Sequence, residues 1–172
     1  MAKRTLYILR HAKAAAGSAR LSDAERPLTE EGHAAARRLG RHMAEHRYRP
    51  DRVLCSPAER TMQTWAEVSA VLGTEPPVDI QKKLYLAGVG ELFTLIQRLP
   101  EGCRAPLIIG HNPGLQLLAA TLSGTGKSSH LDNLMLKFPT AALAVISVEL
   151  PLWKDLAPAA GHLDAFISPK EV

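Results

Sequence analysis

Two arginines and two histidines in this chain follow apolar segments in a way that suits gripping and attacking a phosphoryl group. Arg10 and His11 end the run Leu6-Tyr7-Ile8-Leu9. Arg52-Val53-Leu54-Cys55 leads into Ser56-Pro57-Ala58-Glu59-Arg60, and Pro106-Leu107-Ile108-Ile109-Gly110 leads into His111-Asn112-Pro113-Gly114. Short apolar runs of this kind read as buried strands. Open α/β sheets bind their ligands beyond the carboxyl ends of such strands.

Phosphoryl transfer needs a nucleophile, and the rest of the catalysis is positioning and charge stabilisation. A neutral imidazole is a competent nucleophile near pH 7 and divides the reaction through a phosphohistidine intermediate. Arginine matches the phosphoryl oxygens with a planar, permanently charged fork. His11, at the strand exit beside Arg10, is the expected nucleophile. Arg60, on the first turn of the next helix, is expected to point back over the same crevice. His111 precedes a helix N-terminus whose free N–H groups hold anions, and it is expected to donate to a phosphoryl oxygen. No metal or cofactor is expected where two arginines already neutralise the phosphoryl charge. Each fragment alone is a routine strand end or helix start; their conjunction at one sheet edge is what carries the reading.

These residues need elements to position them. Strand runs alternate with helical patterns, which predicts an α/β three-layer sandwich with a mixed, mostly parallel sheet flanked by helices. Ala12 to Arg26 reads as a loop closed by Pro27. Thr29 is a helix N-cap with Glu30 and Glu31 at the positive end of the dipole, and the helix is expected to reach about Arg47. Ser56-Pro57 and Asn112-Pro113 both read as an N-cap followed by proline at the first helical position. Thr61, Trp65, Val68 and Leu72 share a helix face that Gly73 ends, and Pro76-Pro77 turns the chain into Val78-Asp79-Ile80. Gly90 to Leu99 is a further helix, and Leu115, Leu118, Ala119 and Leu122 form another stripe. Ser123 to Ser129 reads as a flexible loop. Leu134 to Phe138 and Ala141 to Leu150 read as neighbouring strands, and the remaining carboxyl-terminal stretch as mostly irregular.

At 172 residues the chain is expected to be a single domain, 1–172, with a substantial core. The net charge of +4 arises from scattered Lys and Arg. With two Trp and three Phe, it does not resemble a nucleic-acid-binding surface. Two cysteines make no disulfide framework, and no apolar stretch suits a signal peptide or membrane span. A cytosolic protein with no membrane partner is expected.

Arg10-His11, Ser56-Pro57-x-x-Arg60-x-x-Gln63-Thr64 and Gly110-His111-Asn112-Pro113 together resemble the histidine phosphatase superfamily, the phosphoglycerate mutase-like fold. The resemblance covers Leu6 to about Val148. It implies that His11 is phosphorylated while Arg10, Arg60 and His111 surround the phosphoryl group. Ala12 departs from the family's usual Arg-His-Gly. Ser22-Asp23-x-x-Arg26-Pro27-Leu28-Thr29 resembles the second motif of the small SixA-type phosphohistidine phosphatases. About fifty residues separate Arg60 from His111, too few for a helical lid beside the elements already predicted there. An uncovered crevice suits phosphate carried on a protein. Asp23 or Glu25 is the candidate acid, Asp23 preferred because the resemblance places it there. Arg26 and Asn112 are expected to touch substrate, unless Arg26 only pairs with Asp23 or Glu25.

Three imitations are set aside. Gly126-Lys127-Ser128 has the end of a P-loop, but Thr121 stands where its first glycine belongs. Cys55 to Arg60 is one residue short of the cysteine phosphatase spacing, so Cys55 reads as a packed strand residue. His33, His42, His46, His130 and His162 show no metal-site pairing. The expected function is a metal-independent phosphatase acting on phosphohistidine in a protein. Hydrolysis of small phosphate monoesters and a non-catalytic phosphoprotein-binding module are the alternatives.

Overall fold

The computed structural model describes residues 2–172. Its strands are β1 (Lys3–Arg10), β2 (Arg52–Cys55), β3 (Val78–Ile80), β4 (Pro106–Gly110), β5 (Ser123–Gly126), β6 (Leu143–Glu149) and β7 (Gly161–Ile167). They form one sheet in the order β3-β2-β4-β1-β6-β7-β5. β3, β2, β4 and β1 are successively parallel, β6 is antiparallel to β1 and β7, and β5 is parallel to β7. The sheet is therefore mixed and mostly parallel. The helices are α1 (Glu30–Glu45), α2 (Glu59–Leu72), α3 (Val89–Gln97), α4 (Gly114–Leu122) and α5 (Ser128–Leu136).

Side-chain alternation along β1 sets the layers. Leu6 and Ile8 pack with Leu92, Ile96, Leu115, Leu118 and Leu134, on the face covered by α3, α4 and α5. Tyr7 and Leu9 pack with Ala36, Leu39, Met43, Trp65 and Val68, on the face covered by α1 and α2. Thr29 caps α1 by accepting from the Gly32 amide at 3.0 Å, and Gly73 ends α2 in the left-handed region at φ 72°. α1 stops at Glu45, short of Arg47, which turns the chain at φ 57°. No helix among the described residues is long and apolar enough to cross a membrane.

Several local expectations are corrected. α2 opens at Glu59 with Ala58 at its cap, so Ser56 is not an N-cap; its hydroxyl faces His111 instead. α4 opens at Gly114, and the Asn112 amide donates to the Phe138 carbonyl at 3.0 Å instead of capping. Ser123–Gly126 is an edge strand, although it has no apolar residue, because backbone pairing to β7 holds it. Gly124 allows that path: a Cβ there would lie 2.1 Å from the Ala159 carbonyl oxygen. Leu134 to Leu136 is helical, with Leu134 buried and its two successors turned outward. The carboxyl-terminal stretch contains β7, whose pairing with β6 shifts register between Val145 and Ile146 and disturbs the simple alternation. His33 Nδ1 lies 2.7 Å from a Glu67 carboxylate oxygen, and Glu67 is ion-paired with Arg37.

One glycine joins the segment after β3 to α4. A Cβ on Gly114 would sit 2.0 Å from the Ala87 carbonyl oxygen, so the backbone of Leu86-Ala87 rests directly on the first turn of α4. Gly114→Ala should force these segments apart and lower unfolding stability by about 1–3 kcal/mol, read from denaturant melts against the parent protein.

Candidate active site

Parallel pairing of β1 with β4 places Arg10 opposite Gly110, so the residues that follow, His11 and His111, emerge side by side. Their ring centroids are 5.5 Å apart. β2 pairs on the other side of β4 with Cys55 opposite Ile109, which brings Ser56 and the start of α2 to the same edge. Arg10, His11, Asp23, Arg26, Arg60, His111 and Asn112 line one cavity of about 270 Å³, with Leu86 as the eighth residue. Of the eight side chains singled out in the sequence, seven are therefore together, and Glu25 is the one that does not line the cavity.

The imidazoles are held in defined tautomers. His11 Nδ1 lies 2.7 Å from the Ala12 carbonyl oxygen. A carbonyl only accepts, so Nδ1 carries the proton and Nε2 keeps its lone pair. Burial pulls the His11 pKa down to about 4, and the charges of Arg60, Arg10 and Arg26 act in the same direction. His111 Nδ1 accepts from Arg60 Nη2 at 3.3 Å, and Nε2 donates to Ser56 Oγ at 2.7 Å. Burial, then Arg60 and His11, pull the His111 pKa down to about 3. Both rings are neutral at pH 7. Both nitrogens of His111 are also engaged, so as it stands the ring does not donate into the cavity.

Arg60 is buried and reaches Asp23 twice, at the carbonyl oxygen (2.7 Å) and at Oδ2 (3.1 Å). Arg26 takes Asp23 Oδ1 at 2.8 Å, and the Tyr85 hydroxyl donates to Oδ2. Tyr85, with Arg60 and Arg26, holds the Asp23 carboxyl down at about 2. With these partners Asp23 is a carboxylate in the free protein. Arg26 pairs with Asp23, whereas Glu25 closes a local turn onto Ser22. Arg10 donates from Nη1 to the Phe138 carbonyl at 2.9 Å, and its buried Nε has no partner. Three guanidinium groups against one carboxylate, with an unsatisfied donor among them, make a pocket that favours an anion.

Sequence reasoning missed four supporting residues. Ser56 orients His111, and Tyr85 clamps Asp23 while standing edge-on to the His111 ring at 5.4 Å. Thr64 Oγ1 accepts from the Ala12 amide at 3.0 Å, and Gln63 Oε1 accepts from the Leu28 amide at 2.8 Å. Both tie the loop after β1 to α2. The spacing of Gln63-Thr64 after Arg60 signalled two of them; nothing local marked Tyr85. Cys55 is confirmed as a packed residue, its thiol pushed up to about 12 by burial.

The depressed imidazole pKa values have a measurable consequence. Neither His11 nor His111 should titrate between pH 5 and 8 in an NMR titration of the ring resonances. An unfolded chain takes up these protons below about pH 6.5 while the folded one does not. Stability should therefore fall as pH drops from 6.5 towards 4, and His11→Gln should flatten that slope.

The model for the histidine phosphatase superfamily, branch 1, matches residues 6–92. The phosphohistidine phosphatase SixA of Escherichia coli (strain K12) is 31% identical over 146 residues, which cover 84% of this chain and 85% of that protein. A candidate phosphohistidine phosphatase SixA from Nakamurella multipartitia has a structure similar to this one at a TM-score of 0.81 and 32% identity, over 98% of each chain. The structure of a protein histidine phosphatase SixA complexed with tungstate reaches 0.78 at 27% identity, over 96% of this chain and 97% of that one. The matched segment runs from β1 into α3 and contains Arg10, His11 and Arg60, and on these grounds the chain belongs to the histidine phosphatase superfamily.

Proposed function

We propose that this chain is a metal-independent protein phosphohistidine phosphatase that works through phospho-His11. The observation that carries the reading is the neutral, tautomer-locked His11, whose Nε2 lone pair is free beside two guanidinium groups. Its likeness to SixA proteins supports the substrate class.

The chemistry runs in two displacements. A phosphoryl group carried on an imidazole enters the cavity, and Arg10 and Arg60 hold its non-bridging oxygens. His11 Nε2 attacks phosphorus while the bond to the substrate imidazole breaks, and that imidazole leaves with a proton taken from water. Water then attacks phospho-His11, releasing inorganic phosphate and restoring neutral His11. A phosphoramidate nitrogen is protonated by solvent readily, so the reaction tolerates an ionised Asp23. Asp23 instead positions Arg60. Burial is the larger cause of the His111 depression, but a phosphoryl dianion offsets the part due to Arg60 and its neighbours, favouring a proton on that ring and a hydrogen bond to a phosphoryl oxygen. The arginines supply the charge that a metal would otherwise provide. Asn112 acts on substrate indirectly, since its amide and Arg10 share the Phe138 carbonyl.

The mouth suits a macromolecular substrate. α2, β3, a single 3-10 turn (Lys82–Leu84), α3 and β4 occupy the chain between Arg60 and His111, and of that stretch only Tyr85 and Leu86, just after the turn, reach the mouth beside α2. Two free, buried cysteines fit the reducing cytosol.

The test is phosphate release from a phosphotransfer domain phosphorylated on histidine, in excess EDTA. Wild type should turn over many times and His11→Ala not at all. Stoichiometric retention of the phosphoprotein without release would mean a binding module; turnover only of small monoesters would mean an ester phosphatase. Arg60→Ala should lower the rate by about 10²–10³. Asp23→Asn, by loosening Arg60, should lower phosphohistidine and ester hydrolysis in parallel. Selective loss of ester hydrolysis would return Asp23 to the part of acid.

A further inference from the structure

The reaction cavity is bordered by an apolar surface that the chemistry does not use. The four most exposed large apolar side chains among the described residues are Leu136 (84%), Met135 (68%), Leu86 (57%) and Leu117 (52%). They come from three separate segments, yet the packing brings them to one place. Leu86 lines the cavity itself. The neighbouring Ala87 carbonyl rests on Gly114, at the start of the helix whose next turn exposes Leu117. Gln116, beside Leu117, donates to the carbonyl oxygens of Leu134 and Met135 at the end of α5. Leu136 is two residues from Phe138, whose carbonyl holds Arg10. Two residues span at most about 8 Å.

Resting on the proposed phosphohistidine substrate, we infer that Leu86, Leu117, Met135 and Leu136 form the docking surface for the protein that carries the phosphohistidine, and that they meet an apolar face around its modified residue. Reach requires a carrier here. An imidazole places its phosphoryl group only a side chain's length from the carrier backbone, and His11 is buried. The carrier must therefore lie against the mouth. A standard interface covers about 800 Å² per partner, a disc of about 16 Å radius. That footprint takes in Leu86 of the cavity lining and the end of α5, two residues from the carbonyl that holds Arg10. Lys137, exposed between Leu136 and Phe138, adds positive charge on the side from which a phosphorylated, anionic surface approaches. A small phosphoramidate reaches the arginines without touching α5.

The two substrates separate docking from chemistry. Leu136→Asp and Leu117→Asp, each outside the cavity, should lower kcat/KM for the histidine-phosphorylated phosphotransfer domain by about tenfold or more. Phosphoramidate hydrolysis should stay within about twofold of wild type. Both side chains are solvated, so thermal melts should be unchanged; Leu136→Ala, with a smaller loss in the same direction, guards against a local effect of the charge. Unchanged kcat/KM on the phosphoprotein, or equal losses on both substrates, would overturn the surface. So would variants that lose binding to anionic lipid vesicles while keeping phosphoprotein turnover, since the patch would then face a membrane. Wild type that hydrolyses phosphoramidate but never the phosphoprotein would overturn the substrate reading, and the docking surface with it.

Discussion

A buried guanidinium at the head of α2 is the constraint around which this site is arranged. Arg60 cannot shed its charge, and the cavity that holds it also holds Arg10 and faces Arg26. One carboxylate, Asp23, answers all this positive charge, and it does so from a loop on the far side of the mouth. Arg26 and Tyr85 fasten that carboxylate in turn. The loop after β1 is then anchored to α2 by Thr64 and Gln63, so the anchor and the charge it carries are positioned by the same helix.

The charge imbalance adds to burial in setting the state of the histidines. Burial first, and then positive neighbours, disfavour a second proton, so the two rings stay neutral even at pH 6.5, where an exposed imidazole would be about half protonated. A neutral nucleophile and an electropositive pocket are usually in tension with ordinary stability, because like charges crowd together without full compensation. Here the unpartnered Nε of Arg10 marks where that compensation is missing, and an anion is the group that supplies it.

Much of this was legible in the chain because the site sits at strand ends. Apolar runs that stop abruptly at Arg10-His11 and at His111 report both a buried strand and the place where it surfaces. Strand runs alternating with helical stripes announced the layers, and the structure divides Leu6 and Ile8 from Tyr7 and Leu9 between the two cores. What escaped notice depends on partners distant in sequence. Ser56 has the local signature of a cap, yet a histidine 55 residues away claims its hydroxyl. Asn112 has the same signature, and the Phe138 carbonyl claims it. Ser123–Gly126 lacks any apolar residue, since an edge strand can be held by backbone pairing alone. Asp23 was found from its motif, but the groups that govern its ionisation, Tyr85 first, lie far along the chain and were not.

The opposition of Arg10 and Gly110 across two parallel strands has a further consequence, for how such a chain can change over time. Side chains alternate faces along a strand, so removing one residue from β4 would turn the ring of His111 away from His11 and exchange the buried sets of the two layers. The segment from Ala12 to Pro27 carries no such parity and can be lengthened wherever Asp23 still reaches Arg60. Insertions and deletions should therefore accumulate around the mouth, where they alter which partner fits, while the spacing within β1 and β4 stays constant.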